Sequence, residues 1–105
     1  AAALPPFAFQ ALLRADGREP QAAMELLTRA ADLARGIGAP GVALWGPVPA
    51  PMERRAGRHR AQLLTQAENR GVLQRFLAKW IVGLRGLKVP AGARWSLDVD
   101  PQEML

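Results

Sequence analysis

Apolar residues recur along the first half of the chain with two different periods, and each period predicts one kind of element. From Phe7 to Ala15 the apolar side chains fall on both alternating faces, which is typical of a central strand, and Asp16-Gly17 predicts a turn after it. Between Ala23 and Ile37 they form one stripe at helical spacing, which indicates an amphipathic helix. Gly38 and Pro40 are expected to end that helix.

The second half of the chain predicts three further strands and another helix. Val42–Trp45 is expected to be a short second strand and His59–Gln66 a third. Three prolines and two glycines within Gly46–Arg58 argue against regular structure, so we expect a long loop between these two strands. Apolar residues at helical spacing over Val72–Leu84 indicate a second amphipathic helix, and Arg94–Asp98 is the fourth predicted strand.

The predicted order of elements is therefore β-α-β-β-α-β. This order is typical of the α+β class with a split β-α-β (ferredoxin-like) arrangement, in which two helices cover one face of a four-stranded sheet. Right-handed crossover connections favour that solution over other arrangements of the same elements. A chain of 105 residues fits a single domain, which we take to span residues 1–105.

Composition narrows the class of protein further. The chain has no cysteine, which excludes disulfides, thiolate zinc sites and cysteine nucleophiles. Its net charge of +5 favours polyanionic partners. No apolar run approaches the length of about 18–20 residues that a membrane span needs, so we expect no membrane partner and a cytoplasmic location. The first residue is not methionine and the chain enters a strand almost at once, which suggests a fragment of a larger protein.

No combination of residues predicts a catalytic site. His59 is the only histidine and Ser96 the only serine, and Ser96 lies in a predicted strand without the glycines of a nucleophile elbow. A metal site would need several clustered ligands, and a nucleotide site would need a glycine-rich loop followed by lysine. We therefore expect no catalytic residue, no metal and no cofactor in this chain, and we interpret His59 as a solvated residue at the edge of a loop.

The strongest chemical feature is a cluster of arginines. Between Gly46 and Arg75 the chain has six arginines and two acids, a local balance of 6 − 2 = +4. Arginine binds phosphate and carboxylate groups in a bidentate fork. The residues that we predict to contact the phosphates of a nucleic acid are Arg54, Arg55, Arg58 and Arg60. The alternative is an ordinary solvated charged loop.

The three tryptophans are interpreted mainly as packing residues. Trp80 lies in the apolar stripe of the second helix and is expected to be in the core. Trp45 and Trp95 lie on or beside predicted strands. For both we favour core packing over a platform on which nucleic-acid bases stack.

A second candidate site lies at the start of the second helix. Asn69 is expected to cap this helix, and Arg70 and Gln74, four residues apart, share one face of its first turns. A helix N-terminus with an arginine and an amide beside it can receive a carboxylate. Many surface helices carry such a pair, so the spacing alone is weak support.

Four stretches of the chain resemble a known family. They are LPPFAFQALLRA (residues 4–15), GPVPAPMERRAGRHRAQLL (46–64), LQRFL (73–77) and RWSLDVDP (94–101). They closely resemble the C-terminal domain of primosomal protein N′, the bacterial replication-restart DNA helicase. The resemblance extends over nearly the whole chain, and the pairing of the GPVPAP stretch with a terminal W-x-LDVDP is specific.

The resemblance implies a role in DNA replication. Members of the family are ATP-dependent helicases that recognise stalled replication forks and start primosome assembly. Their ATP, magnesium and zinc sites are implied to lie outside this fragment. The C-terminal domain is implied to bind forked and single-stranded DNA, other primosome proteins, and the acidic C-terminal tail of single-stranded-DNA-binding protein. An arginine and a glutamine at the start of its second helix receive that tail, and they match Arg70 and Gln74.

Other functions remain open. The domain could be a structural scaffold that packs on the helicase lobes without direct ligand contact, its arginines meeting acidic surfaces of the same protein. It could also be an independent RNA-binding or ribosomal protein of the same fold, although the motifs favour the restart helicase. An enzyme is the alternative with the least support, because no constellation of residues points to one.

Overall fold

A computed structural model describes residues 9–99, apart from the side chains of Glu53 and Arg55. The elements are β1 (Phe9–Gly17), α1 (Ala22–Ile37), β2 (Val42–Arg55), β3 (Arg58–Ala67), α2 (Arg70–Arg85) and β4 (Arg94–Val99). The predicted order of elements is confirmed. Phe7 and Ala8, with which the first predicted strand begins, lie outside the described residues.

The strands form one antiparallel sheet in the order β2-β3-β1-β4. Along β1 and β3 every second residue is buried beneath the helices, and the residues between them stay partly exposed. Both helices therefore cover the same face, because each connection crosses over one intervening strand and returns in the right-handed sense. This confirms the predicted ferredoxin-like α+β fold.

The core lies between the helices and this covered face, and it is built mainly from alanine and leucine. Its largest member is Trp80, which is fully buried, as predicted. The Trp80 indole N–H donates a hydrogen bond of 2.9 Å to the carbonyl oxygen of Ala30, so its one polar atom is satisfied. The Phe76 ring centroid lies 5.1 Å from that of Trp80. Among the described residues, neither helix is long and apolar enough to cross a membrane.

The long loop predicted over residues 46–58 is wrong. β2 continues to Arg55, and only Ala56 and Gly57 form the turn to β3. Both turn residues have positive φ, 52° and 75°, as the tight turn of a two-residue hairpin requires. β2 is an edge strand with two irregularities in its pairing with β3, and proline is tolerated at such edges and bulges.

The turn predicted at Asp16-Gly17 is also wrong, because both residues belong to β1 and Gly17 pairs with His59. A Cβ atom on Gly17 would lie 2.8 Å from the Cβ of Ala22, at the start of α1. The glycine therefore permits close approach of strand and helix rather than a reversal of the chain. His59 likewise lies within β3 and is half-buried, not at the edge of a loop.

Candidate nucleic-acid interface

The sheet face that the helices leave uncovered, here called the open face, carries most of the candidate ligand-binding side chains. Directly paired residues of an antiparallel ladder point to the same side, so the pairing register defines rows across this face. The rows are Trp45–Leu64–Leu12–Asp98 (the apolar row), Val48–Gln62–Arg14–Ser96 (the mixed row) and Arg60–Asp16–Arg94 (the arginine row). The apolar row contains no arginine, the mixed row contains one and the arginine row contains two.

Asp16 organises the cationic end of the open face. Its Oδ1 atom accepts hydrogen bonds from Nε of Arg58 at 2.5 Å and from Nε of Arg94 at 3.0 Å. Arg58 also donates from Nη2 to the carbonyl oxygen of Gly92 at 2.6 Å. One carboxylate therefore connects β1 to the hairpin and to β4, and Arg58 additionally fixes the loop that precedes β4.

The surroundings of Asp16 lower the pKa of its carboxyl group below the ordinary value. Partial burial by itself would raise this pKa, since it disfavours the charged form. The hydrogen bonds from Arg58 and Arg94, together with their positive charges, outweigh that effect. Asp16 is therefore ionised at neutral pH and holds both guanidinium groups in place.

Two further arginines of the open face have weaker partners than Arg58. Arg14 forms an ion pair of 3.1 Å with Asp98, and about half of each side chain is exposed. Arg60 donates a long hydrogen bond of 3.4 Å to the carbonyl oxygen of Met52. Among the described side chains of this face, Arg14, Arg58, Arg60 and Arg94 against Asp16 and Asp98 give a net charge of 4 − 2 = +2.

A shallow depression lies among these arginines. It has a volume of about 270 Å³ and is lined by Asp16, Ala56, Arg58, Arg60 and Arg94. This volume is several times the roughly 30 Å³ that one water molecule occupies in the liquid, so the depression is roomy enough for a phosphate group. The cationic walls favour an anion there.

The structure does not bring the four sequence-predicted phosphate ligands together. Arg58 and Arg60 lie on the open face, but Arg54 pairs with His59 and so points to the helix-covered side. Arg55 pairs with Arg58 in the backbone ladder. Arg58, with 20% of its side chain exposed, is largely occupied by Asp16 and Gly92.

Sequence reasoning missed Arg14 and Arg94, which share the open face with Arg60. Both lie in predicted strands, but they fall outside residues 46–75, the segment in which arginines are concentrated. The available signal was alternation, because Arg14 lies at a polar position of β1 opposite the buried Leu13 and Ala15. Only the register of β1 with β3 and β4 shows that these arginines meet.

The second candidate site, at the start of α2, has the predicted local structure. The side chain of Asn69 accepts a hydrogen bond of 3.1 Å from the backbone N–H of Val72, which confirms it as the N-cap. Arg70 and Gln74 are both exposed on the first turns. The Arg70 guanidinium carbon lies 5.3 Å from the centroid of the Phe9 ring, a cation–π contact.

The two candidate sites are far apart. Arg58 begins β3, whereas Arg70 follows the opposite end of that strand, beyond Ala67. At about 3.3 Å per residue, β3 separates the two ends by about 30 Å. The arginines near the β2–β3 turn and the start of α2 therefore form two separate surfaces rather than one continuous docking surface.

The tryptophans on the strands differ in their exposure. Trp95 is partly buried and packs against the core, as predicted. The prediction that Trp45 packs in the core is wrong, since 58% of this residue is exposed on the open face. The cause is the pairing of Trp45 with Leu64, a residue of β3 on the open face. A bulge follows, in which β2 has one residue more than β3 before Val48 pairs with Gln62, and it brings Val48 to the same face.

The bulge depends on Gly46. This residue has a φ of 109°, and a Cβ atom at its position would lie 3.0 Å from the carbonyl oxygen of Gln62. Glycine therefore allows β2 to bend here and to present both Trp45 and Val48 on the open face.

Sequence comparison finds clear relatives. The family described as the primosomal protein N C-terminal domain matches residues 1–102. The chain is also 39% identical over 101 residues to the replication restart protein PriA of Haemophilus influenzae. That match covers 96% of this chain and 14% of the Haemophilus protein. The chain thus spans only a small part of this relative.

Structure comparison finds the same fold in unrelated proteins. A de novo designed protein, Foldit4, superposes with a TM-score of 0.57 at 9% identity, covering 87% of this chain and 93% of the design. Part of a hydantoinase/carbamoylase family amidase from Burkholderia ambifaria gives a TM-score of 0.54 at 12% identity, covering 87% of this chain and 27% of the amidase. At such low identity these matches show the fold alone.

Proposed function

Because this chain belongs to the family of primosomal protein N C-terminal domains, we propose that it is the DNA-binding module of a bacterial replication-restart helicase. It binds forked and single-stranded DNA through phosphate contacts and receives the acidic tail of single-stranded-DNA-binding protein at a separate site. Other primosome proteins are its further partners in the cytoplasm. The helicase activity, with its ATP, magnesium and zinc, belongs to parts of the longer protein outside this chain.

The observation that carries the DNA proposal is the arrangement of Arg14, Arg60 and Arg94 on the open face. Arg14 and Arg94 are exposed and Arg60 is partly exposed, all on one side of the sheet. Contacts of this kind position a nucleic-acid backbone without reading its sequence. Arg58 acts mainly by holding the hairpin against Asp16, while Arg54 and Arg55 are peripheral contacts at the hairpin end.

The salt dependence of DNA binding tests this proposal. We expect the 105-residue chain to bind forked DNA with an affinity that falls steeply as salt rises, because each phosphate contact releases condensed counterions. With three or four contacts the slope of log K against log[salt] is about −2 to −4. Fluorescence anisotropy at a series of salt concentrations measures it. An affinity that does not change with salt would contradict phosphate binding.

The tail proposal is supported by the chemistry of the α2 start. An arginine and an amide lie on adjacent exposed turns beside the positive end of the helix dipole. We expect Arg70→Ala to weaken binding of an acidic peptide with a free C-terminal carboxylate by about tenfold, since it removes a charge-assisted hydrogen bond. Isothermal titration calorimetry measures this, with Arg85→Ala, an exposed arginine at the other end of α2, as the matched control. Equal affinity of Arg70→Ala and wild type would show that Arg70 does not bind the tail.

A scaffold that packs on the helicase lobes is the alternative function. Met52, which is 60% exposed, and Val82, which is 71% exposed, are apolar side chains outside the open-face rows that such packing would cover. In that case substitutions of the open-face arginines would lower the thermal stability of the full-length protein and leave fork binding intact. Loss of fork binding at unchanged stability supports the DNA-binding module instead.

A further inference from the structure

The apolar row of the open face places an aromatic ring beside the cationic positions. Trp45 is 58% exposed, and Val48, its neighbour across the bulge, is 46% exposed. Leu64 pairs directly with Trp45, and Leu12 pairs with Leu64. The ring therefore lies in a row of apolar side chains that extends across three strands.

Trp45 and Val48 lie outside the hydrophobic core. The core lies on the other face of the sheet, and Trp45 is absent from it. An exposed tryptophan beside a glycine bulge gains little stability from burial. Adjacent exposed apolar side chains of this kind are more typical of contact with a ligand than of packing.

The charges around the row identify the ligand. Arg14 lies one row further along the sheet and two strands, about 10 Å, across from Trp45. Arg60 lies four residues from Leu64 along β3, about 13 Å. A partner that offers flat apolar rings on one side and regularly spaced negative charges on the other is complementary to this surface. Single-stranded nucleic acid has this chemistry, whereas the bases of a duplex are stacked on one another.

We propose that Trp45 is a base-stacking residue through which the open face selects unpaired nucleotides, with Leu64 and Val48 as its apolar surround and Arg14 and Arg60 as phosphate ligands. This inference rests on the proposed DNA-binding function and deepens it, because phosphate contacts alone do not distinguish a single strand from a duplex.

The test compares two strands with the same charge. One is a single-stranded oligonucleotide of about 12 nucleotides, within the range of known single-strand site sizes, and the other is an abasic strand of equal length. We expect wild type to prefer the strand that carries bases. Trp45→Leu keeps an apolar side chain but removes the ring, and it should lower affinity for the base-bearing strand by about 5- to 150-fold. Trp45→Phe, which keeps a ring, should retain most of the affinity.

The outcomes separate this inference from the function on which it rests. If wild type binds neither strand at any salt concentration, both proposals are overturned. If wild type binds with a steep salt dependence but Trp45→Leu binds equally well, only base stacking is overturned. If Trp45→Leu leaves DNA affinity unchanged and weakens association with the remainder of the restart protein added in trans, the row is a contact between domains. The inference is supported if Trp45→Leu, but not Trp45→Phe, loses the preference for the base-bearing strand while its melting temperature is unchanged.

Discussion

The double substitution Arg14→Gln and Arg60→Gln is expected to weaken binding of single-stranded or forked DNA by about 10- to 100-fold at low salt. A hydrogen bond to a charged group contributes about 1.5–3 kcal/mol, and exposure to solvent reduces this value. Both guanidinium groups lie on the open face, so both are available to one bound strand. The salt slope should become shallower by about 1.4–1.8, because two phosphate contacts are lost.

Two control variants separate this local effect from the loss of net charge. Arg75→Gln with Lys79→Gln removes the same two charges from exposed positions of α2, on the opposite side of the sheet. We expect this variant to bind DNA nearly as wild type does. Arg54→Gln should also have a small effect, because Arg54 points away from the open face. Equal losses in the two double variants would mean that only net charge matters and would contradict a defined binding face.

The substitution Asp16→Asn is expected to lower the melting temperature substantially without weakening DNA binding. It removes the acceptor shared by Arg58 and Arg94 and leaves the Arg58 guanidinium, 20% exposed, without its carboxylate. The expected cost is about 1–3 kcal/mol, of which the Arg94 pair contributes little because Arg94 is 70% exposed. This cost corresponds to a fall in melting temperature of about 5–15 °C. Because the variant also removes a negative charge from the open face, its affinity for DNA should not fall.

The effect of Asp16→Asn should depend on pH in a defined direction. The pKa of Asp16 is lower in the folded chain than in the unfolded one. The ionised carboxylate therefore stabilises the fold fully above the ordinary aspartate pKa of about 3.9, and this stabilisation is lost as pH falls through the lower, folded value. The difference in melting temperature between wild type and variant should be constant near neutral pH and shrink below about pH 4.

Asp98→Asn is the matched control for this prediction. Asp98 also pairs with an arginine of the open face, but both partners are about half exposed, so its substitution should change the melting temperature little. Thermal unfolding followed by circular dichroism at several pH values measures both variants. A melting temperature of Asp16→Asn equal to that of wild type at pH 7 would contradict the organising role of Asp16.

The candidate site could be predicted only in part. The α2 start was predicted correctly because capping is a local property, and Asn69, Arg70 and Gln74 lie within one and a half turns of helix. The phosphate ligands were predicted from their density along the chain, and the structure places Arg54 on the helix-covered side of the sheet, away from Arg58 and Arg60. Neighbours in a strand point to opposite faces, so a cluster in the sequence need not be a cluster in space.

Trp45 illustrates a second limit. Its apolar character and its position at the end of a predicted strand favoured the core, and nothing within Val42–Trp45 contradicted this. Exposure was decided by the pairing of Trp45 with Leu64, whose neighbours Leu63 and Thr65 are the buried residues of β3. A shift of one residue in register would have exchanged the two faces.

By itself the sequence determined the order and type of the elements, the burial of Trp80, the cap at Asn69 and the family. These follow from periodicity and from motifs, both of which are read over short stretches of chain. The tertiary structure alone decided which arginines share a face, that β2 extends through its prolines, that Trp45 is exposed, and that the hairpin lies far from the α2 start. These features depend on how far the strands extend and on which residues pair between them, and local periodicity does not encode that register.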